Sequence, residues 1–361
     1  MLENSTPTHR TSKFMIITNI LSSRAFEKNP NYHLIYEWEE DLAQCLSIPI
    51  SNAKPLHRKI FINRYSKKII NKIGNNTFAK FNNFIESRNS LVNNKNHFSL
   101  VFELYVESEP NFTNSAKAIP VMIDFWKHTN LEQFHKLYKD CKLVLISSLE
   151  ALEFLKKSGC PLNIAHFPLS LSDRYRLKEG IIYPKQYDIL LAGRFNIRTN
   201  QILLEYLQEF IAKYKDVEYL HQQEINGEYY YVSNHKGVVG KYQSREDYID
   251  LLRASKVSFY STPGLNGGEV RTGGFNPVTP RFLELLSAQC LLIGKYPDNE
   301  ETRFYELDKV CPNVETYEQF EHTLLQHLNN TDTTFAAHRE ILDKHYTSRR
   351  AELLKQLMNA N

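Results

Sequence analysis

The stretch Gly273–Glu284, GGFNPVTPRFLE, which runs on as LLSAQCLLIG to Gly294, decides how the rest of the chain is read. Two glycines lead into Thr279-Pro280, and that pair marks a helix start: threonine is a good N-cap, and proline suits the first helical position, where no amide hydrogen is needed. Phe282, Leu285 and Leu286 give the helix an apolar face, Glu284 lies one turn in, and Cys290 to Ile293 reads as the next strand. A glycine-rich loop feeding a capped helix predicts a phosphate cradle, with the first helical amides turned to an anion.

At 361 residues the chain exceeds what one core usually organises, so two domains sharing a cleft are expected. Hydrophobic residues at 42% and charged residues at 24% describe a folded globular protein, and a net charge of +3 does not by itself imply nucleic acid. Five cysteines, odd in number and without a CxxC pair, fit a reducing compartment. The opening MLENSTPTHRTSK is polar and the apolar run Phe14 to Leu21 is too short for a signal peptide or membrane span, so a cytoplasmic location is expected.

Outward from the opening motif, β-rich apolar runs alternate with segments of helical period, the pattern of parallel sheets covered by helices. Strands are predicted at Phe14–Ile20, Phe98–Tyr105, Pro120–Phe125, Leu143–Ser147 and Ile164–Phe167, with helices at Tyr36–Leu46, Lys67–Ile85, Leu131–Asp140 and Leu149–Ser158. In the second half, strands at Asp188–Ala192, Glu218–Leu220, Val257–Tyr260 and Cys290–Ile293 alternate with helices at Asn200–Tyr214, Arg245–Ala254 and Thr279–Ala288. The expected organisation is α/β: two facing, doubly wound, Rossmann-like domains over 1–170 and 187–333, joined by a polar linker at 171–186. A terminal helical segment, 334–361, with Ile341, Leu342, Leu353, Leu354 and Leu357 as its buried positions, would pack back toward the first domain. The carboxyl ends of both sheets then face one crevice, where ligands bind in such folds.

Several motifs occur in a familiar order: DILLAGRFNIRTNQILLEYL from Asp188, YQSREDYIDLLRASKVSFY from Tyr242, GFNPVTPRFLELLSAQCLLIG from Gly274 and DKHYTSRRAELL from Asp343. Together they resemble the group 1 glycosyltransferases of GT-B architecture, and more closely the subgroup named after the spore-maturation CgeB proteins. The first half is similar only in outline, through IPVMIDFWKHT and CKLVLISSLEALEFLKKSG. The resemblance implies transfer of a sugar from a nucleotide-diphosphate sugar, UDP- or GDP-linked, to a hydroxyl of a glycan or lipid-linked acceptor, with retention of configuration favoured. A nucleotide-sugar epimerase of the same fold and a silent sugar-nucleotide-binding protein are the alternatives.

The main electrostatic task in such chemistry is to stabilise a departing diphosphate. Arg194, after Gly193 at a strand end, matches the family's arginine, while Arg198 is displaced from the family's lysine; both would supply fixed cations, the alternative being solvated arginines at a helix start. Glu284 matches the glutamate that accepts hydrogen bonds from the ribose hydroxyls. Asn276 stands eight positions earlier, where many relatives have a second glutamate. Gly274, Asn276, Thr279 and Arg281 belong to the donor loop and helix by the same resemblance, and Tyr242 to the base-binding strand end.

In the first domain, Asp124 at the end of PVMIDFW and His128 just beyond it are the catalytic candidates, each able to act as general base toward an acceptor hydroxyl or to hydrogen-bond the donor sugar. A helix-capping aspartate and a solvated histidine are the plain alternatives. Glu103 and Glu107 are weaker candidates. No His, Cys or carboxylate spacing suggests a metal, no Asp-x-Asp occurs, and the resemblance likewise implies metal-independent handling of the diphosphate without a further cofactor. The basic residues between 54 and 88 alternate with isoleucine and phenylalanine, a pattern that favours a helix with a buried apolar side and solvated lysines, with peripheral contact to an anionic inner membrane face as the alternative.

Overall fold

The computed structural model describes residues 14–28, 32–53, 96–106, 110–112, 114–193, 197–241, 244–331 and 334–360, the side chains of 197–199 excepted. The basic stretch 54–88 and its expected helix lie outside the described residues, as do Arg194, Tyr242 and Glu107.

The first lobe is built from β1 (Ile16–Ser22), α1 (His33–Leu46), β2 (Ile50–Asn52), β3 (His97–Glu103), β4 (Ala118–Met122), α2 (Leu131–Tyr138), β5 (Val144–Ile146), α3 (Leu149–Lys157) and β6 (Ile164–His166). Its six strands run parallel in the order β2-β1-β3-β4-β5-β6. β4 and β5 are buried at every position, because helices cover both faces of the sheet. Trp38 and Leu42 of α1 fill one face; Phe134, Tyr138, Ala151 and Leu155 from α2 and α3 fill the other.

The second lobe follows with β7 (Tyr187–Leu190), α4 (Ile197–Lys213), β8 (Tyr219–Ile225), β9 (Glu228–Ser233), β10 (Gly237–Gly240), α5 (Arg245–Arg253), β11 (Ser255–Ser261), α6 (Pro280–Ser287), β12 (Leu291–Lys295), α7 (Glu300–Phe304) and α8 (Tyr317–Leu328). Its strand order is β10-β9-β8-β7-β11-β12. The four central and far strands are parallel, and β8, β9 and β10 add an antiparallel edge. The hairpin between β8 and β9 turns on Asn226 (φ 54°) and Gly227 (φ 80°), the residue pair whose left-handed backbone matches the twist of paired strands. Ile249, Phe282, Leu285 and Leu286 pack one face; Leu203, Phe210, Phe320 and Leu324 pack the other.

One expectation changes. The terminal segment is not one helix: it breaks at Tyr346 into α9 (Ala336–His345) and α10 (Thr347–Ala360). At the break Tyr346 leaves helical backbone (ψ 155°) and forms a parallel bridge with Leu171. The halves serve different cores, since Ile341 and Leu342 pack in the second lobe while Ala351, Leu354 and Met358 pack in the first. The linker 171–186 is packed along part of its length. Leu171, Tyr175 and Leu177 are buried in the second core, which apolar side chains spaced irregularly through a polar stretch do not announce.

The acidic run Glu37–Asp41 on α1 is the hub between these parts. Glu40 pairs with Arg24 (2.9 Å) and with Arg174 of the crossover (2.8 Å), Asp41 accepts from the Asp173 amide (2.9 Å), and Trp38 donates to the Ser170 carbonyl (2.9 Å). All five cysteines are free. No helix among the described residues is long and apolar enough to cross a membrane.

α5 begins with a reciprocal cap: the Asp247 amide donates to Ser244 Oγ (3.1 Å) and the Ser244 amide to the Asp247 carboxylate (3.0 Å). Ser244→Ala should cost about 1 kcal/mol, read as a lowered urea midpoint at unchanged slope.

Candidate functional site

In the second sheet the chain leaves β7 toward β8 on one side and returns to β11 on the other, so the crevice lies beyond the carboxyl ends of β7 and β11. Gly193 follows β7, and the loop 262–279 follows β11. Gly193 has φ 68°, and a Cβ built on it would stand 2.6 Å from an Arg281 guanidinium nitrogen. Only glycine admits both the backbone and the arginine. Tyr231 from β9 accepts a hydrogen bond from the Gly193 amide (3.2 Å), tying the turn to the hairpin.

α6 carries the rest. Arg281 lies in its first turn and Glu284 one turn on; Glu284 is 4% exposed, so its charge must be met inside the protein. Arg245, the first residue of α5, meets it at 2.5 Å. Burial works to lower the Arg281 pKa, but Tyr248, Glu284 and Tyr231 around it outweigh that and raise it. The structure thus brings Gly193, Arg281 and Glu284 to one switch point, and adds Arg245, Tyr231 and Tyr248, which the sequence did not single out. A cation at the start of a capped helix was the available signal for Arg245.

The phosphate cradle is corrected. Thr279 stands at the N-cap of α6 without a side-chain cap; its amide donates to Tyr260 Oη (2.9 Å) instead. The Phe282 amide is spent on the Thr279 carbonyl (3.1 Å), the Gly274 amide on Thr272 Oγ1 (3.1 Å) and the Phe275 amide on the Thr272 carbonyl (3.2 Å). The Asn276 amide donates to Glu150 of α3, and Glu301 takes the Val278 amide. Hydroxyls, carbonyls and two carboxylates of the protein already hold these donors, so cationic side chains are what the site offers a diphosphate. Asn276 is further fixed by Thr262 Oγ1 donating to its carbonyl (2.8 Å) and by its own amide group donating to the Gly274 carbonyl (2.9 Å).

The same loop closes the crevice against the first lobe. Phe275 packs edge-on to Phe154 (5.5 Å between centroids) within the first core. Gly273 (φ 60°) lies against Lys127 and His128, 2.8 Å and 3.1 Å from where a Cβ would be. Glu301 reaches across to the amino end of α3, accepting from the Leu149 amide (2.6 Å) and Ser148 Oγ (3.2 Å). Burial pushes its carboxyl up to about 7.

Between the lobes lies a cleft, partly open to solvent, lined by Asp124 and Trp126 on one side and Pro277, Thr279 and Glu301 on the other. Asp124 keeps 25% of its side chain exposed and has Arg271 at 3.9 Å. Burial pushes its carboxyl up to about 6, against the pull of Arg271 and with help from Glu269. Arg271 lies over the Trp126 ring, 5.2 Å from its centroid, and is held by Glu269 (2.6 Å). His128 is exposed beside the donor loop. Glu103 is not a cleft residue: its two oxygens accept from the Asn111 amide (2.6 Å) and side chain (2.9 Å), anchoring a loop. Among the described residues no cluster of His, Cys, Asp or Glu could hold a metal ion.

No protein-family model matches the sequence, and no curated protein matches it. Among solved structures, the chain is similar to a sucrose-phosphate synthase from Thermosynechococcus elongatus, with a TM-score of 0.52 at 10% identity over 96% of this chain and 100% of that one. TarM gives 0.52 at 12% identity, over 78% of this chain and 58% of that one. The chain spans about three fifths of two further matches, 61% of a chain of the GtfA/B complex and 60% of the pneumococcal O-GlcNAc transferase GtfA. At such identities the likeness is one of fold, and the fold is α/β of GT-B architecture.

Proposed function

We propose that the protein is a nucleotide-sugar-dependent glycosyltransferase, close to the CgeB-like subgroup of group 1, that moves a sugar to a glycan or lipid-linked hydroxyl. The observation that carries this reading is the convergence of Gly193, Arg281 and Glu284 at the switch point of the second sheet, across a cleft from Asp124. Arg281, with Arg194 next to Gly193 and Arg198 on α4, supplies positive charge for the diphosphate; fixed cations in a partly desolvated site stabilise a leaving group without reorganising. Glu284 accepts from the ribose. Gly274, Asn276 and Thr279 shape the wall toward the sugar, Tyr242 is assigned to the base by the family resemblance, and UDP or GDP is the carrier. Neither metal nor cofactor enters the scheme. The amphipathic 54–88 stretch would bring a cytoplasmic enzyme to the inner membrane face.

Asp124, with His128 beside the loop, serves the acceptor side. As general base it would deliver the hydroxyl opposite the departing diphosphate and invert the anomeric centre; retention, favoured by the family resemblance, leaves it to hydrogen-bond the sugar. The anomer of the first product, read by NMR, separates these roles.

The test is thermal stabilisation by a panel of UDP-, GDP-, dTDP- and ADP-sugars. One of them at a hundredfold excess over its Kd should add about 2.7 kcal/mol of apparent stability. Arg194→Ala, Arg281→Ala and Glu284→Ala should each abolish the shift. An unresponsive wild type would remove the donor site altogether. Donor turnover in the absence of acceptor would indicate an epimerase, and binding without turnover a silent homologue.

A further inference from the structure

Arg245 touches both lobes. Its Nη2 pairs with Glu284 Oε1 at 2.5 Å, and its Nε stands 3.4 Å from Glu37 Oε1 on α1. Glu37 in turn accepts a 2.5 Å hydrogen bond from Tyr175 of the crossover. All three charged groups are largely buried, with side-chain exposures of 18% for Arg245, 7% for Glu37 and 5% for Glu284. Tyr175 and Tyr248 rings flank the guanidinium at 5.8 Å and 5.7 Å.

The two ends of the guanidinium are unequal. On the Glu284 side the contact is short and hydrogen-bonded. On the first-lobe side Arg245 Nε and Glu37 Oε2 are both buried without a hydrogen-bond partner, so that contact is charge against charge without a bond. Buried polar atoms left this way are rare and mark a place where a small movement has something to gain. A carboxylate at 4% exposure needs a partner inside the protein; a forked cation fixes one oxygen and leaves the other to accept.

We propose that Arg245 is a positioning residue for ribose recognition: it holds one oxygen of Glu284 so that the other faces the sugar hydroxyls, and Glu37 of the opposite lobe holds Arg245 in place. The proposal rests on the donor-site reading above, and goes beyond it by making recognition in one lobe depend on a side chain of the other. Arg245 touches no reacting atom. Its loss should therefore appear in donor affinity and ribose discrimination, with turnover at saturating donor largely kept.

The experiment measures Kd for UDP, GDP and ADP, each against its 2′-deoxy form, on the wild type, Glu284→Gln, Arg245→Met, Arg245→Lys and Glu37→Gln. The carrier that binds the wild type should be preferred over its deoxy form, and Glu284→Gln should lower that preference by about tenfold or more, the worth of a hydrogen bond to a charged group. Arg245→Met should lower it nearly as far. Arg245→Lys, which keeps the charge without the fork, and Glu37→Gln should fall between. A merely structural arginine would lower both affinities alike and leave their ratio intact. A collapsed ratio in Glu284→Gln with an unchanged ratio in folded Arg245→Met would overturn the proposal and keep the donor site. Should Arg245→Met fail to fold, unchanged ratios in both Arg245→Lys and Glu37→Gln would overturn it in the same way. A wild type that binds none of the nucleotides overturns the donor site and, with it, this proposal.

Discussion

Arg350→Met should remove about 3–5 kcal/mol of unfolding free energy, the cost of leaving several buried acceptors without their donor. Arg350 is 5% exposed and spends its donors on backbone: Nε on the Pro168 carbonyl (2.8 Å), Nη2 on the Leu169 carbonyl (3.0 Å) and Nη1 on the Lys344 carbonyl (3.1 Å). It also meets His345 Nδ1 at 2.8 Å. Methionine fills the volume but leaves these acceptors without their donor, and each unmet buried acceptor costs about 1–3 kcal/mol. The carbonyls belong to both passages of the chain between lobes, so the loss strikes the junction as a whole. Urea titration reads it; a change under about 1 kcal/mol would show that water replaces the guanidinium. A second reading comes from pH. Burial, with Arg350 beside it, depresses the His345 pKa to about 3, and burial depresses that of His166 to about 4. Histidines held neutral in the fold give stability that is full above the ordinary histidine value of 6.5 and lost as pH falls below it. Taking Arg350 away removes one cause of the depression, so the variant should lose less stability on acidification than the wild type does.

Asp124→Asn carries the second large effect: turnover should fall by about 10²–10⁴ if the carboxylate acts as general base. A base must be ionised, so kcat/KM of the wild type should climb below pH about 6 and level above it, following the raised pKa of Asp124. The asparagine variant should lack that limb. Stability should move the other way. A carboxyl whose pKa rises from 3.8 to about 6 on folding contributes stability that is present below the lower value and lost as pH rises through the upper. Neutral asparagine has no such loss, so above pH 6 the variant should be at least as stable as the wild type. An inactive protein with an undiminished melting temperature separates chemistry from folding. A flat pH profile in the wild type, with little loss in the variant, would leave Asp124 as a hydrogen-bonding partner of the sugar.

The alternation of apolar runs and helical periods was enough to read two doubly wound lobes, and the glycine loop before Thr279-Pro280 did mark the switch point. Phe282, Leu285 and Leu286 are fully buried as their spacing requires. What local pattern does not carry is the identity of distant partners. The Asn276 amide meets a glutamate 126 residues away, so a donor of the apparent anion site was already taken; the Leu149 amide at the start of α3 is likewise taken by a glutamate 152 residues away. The acidic run on α1 reads as a solvated face until Arg24, Arg174 and Arg245 arrive from three other segments. The antiparallel edge was missed: its one local signal is the dipeptide Asn226-Gly227, and β10 is mostly exposed and offers no apolar period. Phe335, with φ 46° just before α9, has no counterpart in any local preference.

The docking of α10 on the first sheet has a consequence for synthesis. Ala351, Leu354 and Met358 complete a core whose strands were translated some two hundred residues and more earlier. Without α10 the first lobe would leave apolar side chains beside Trp38 and Leu42 uncovered, the kind of surface that makes incomplete folds prone to association. The first core is thus complete only when α10 is docked on it.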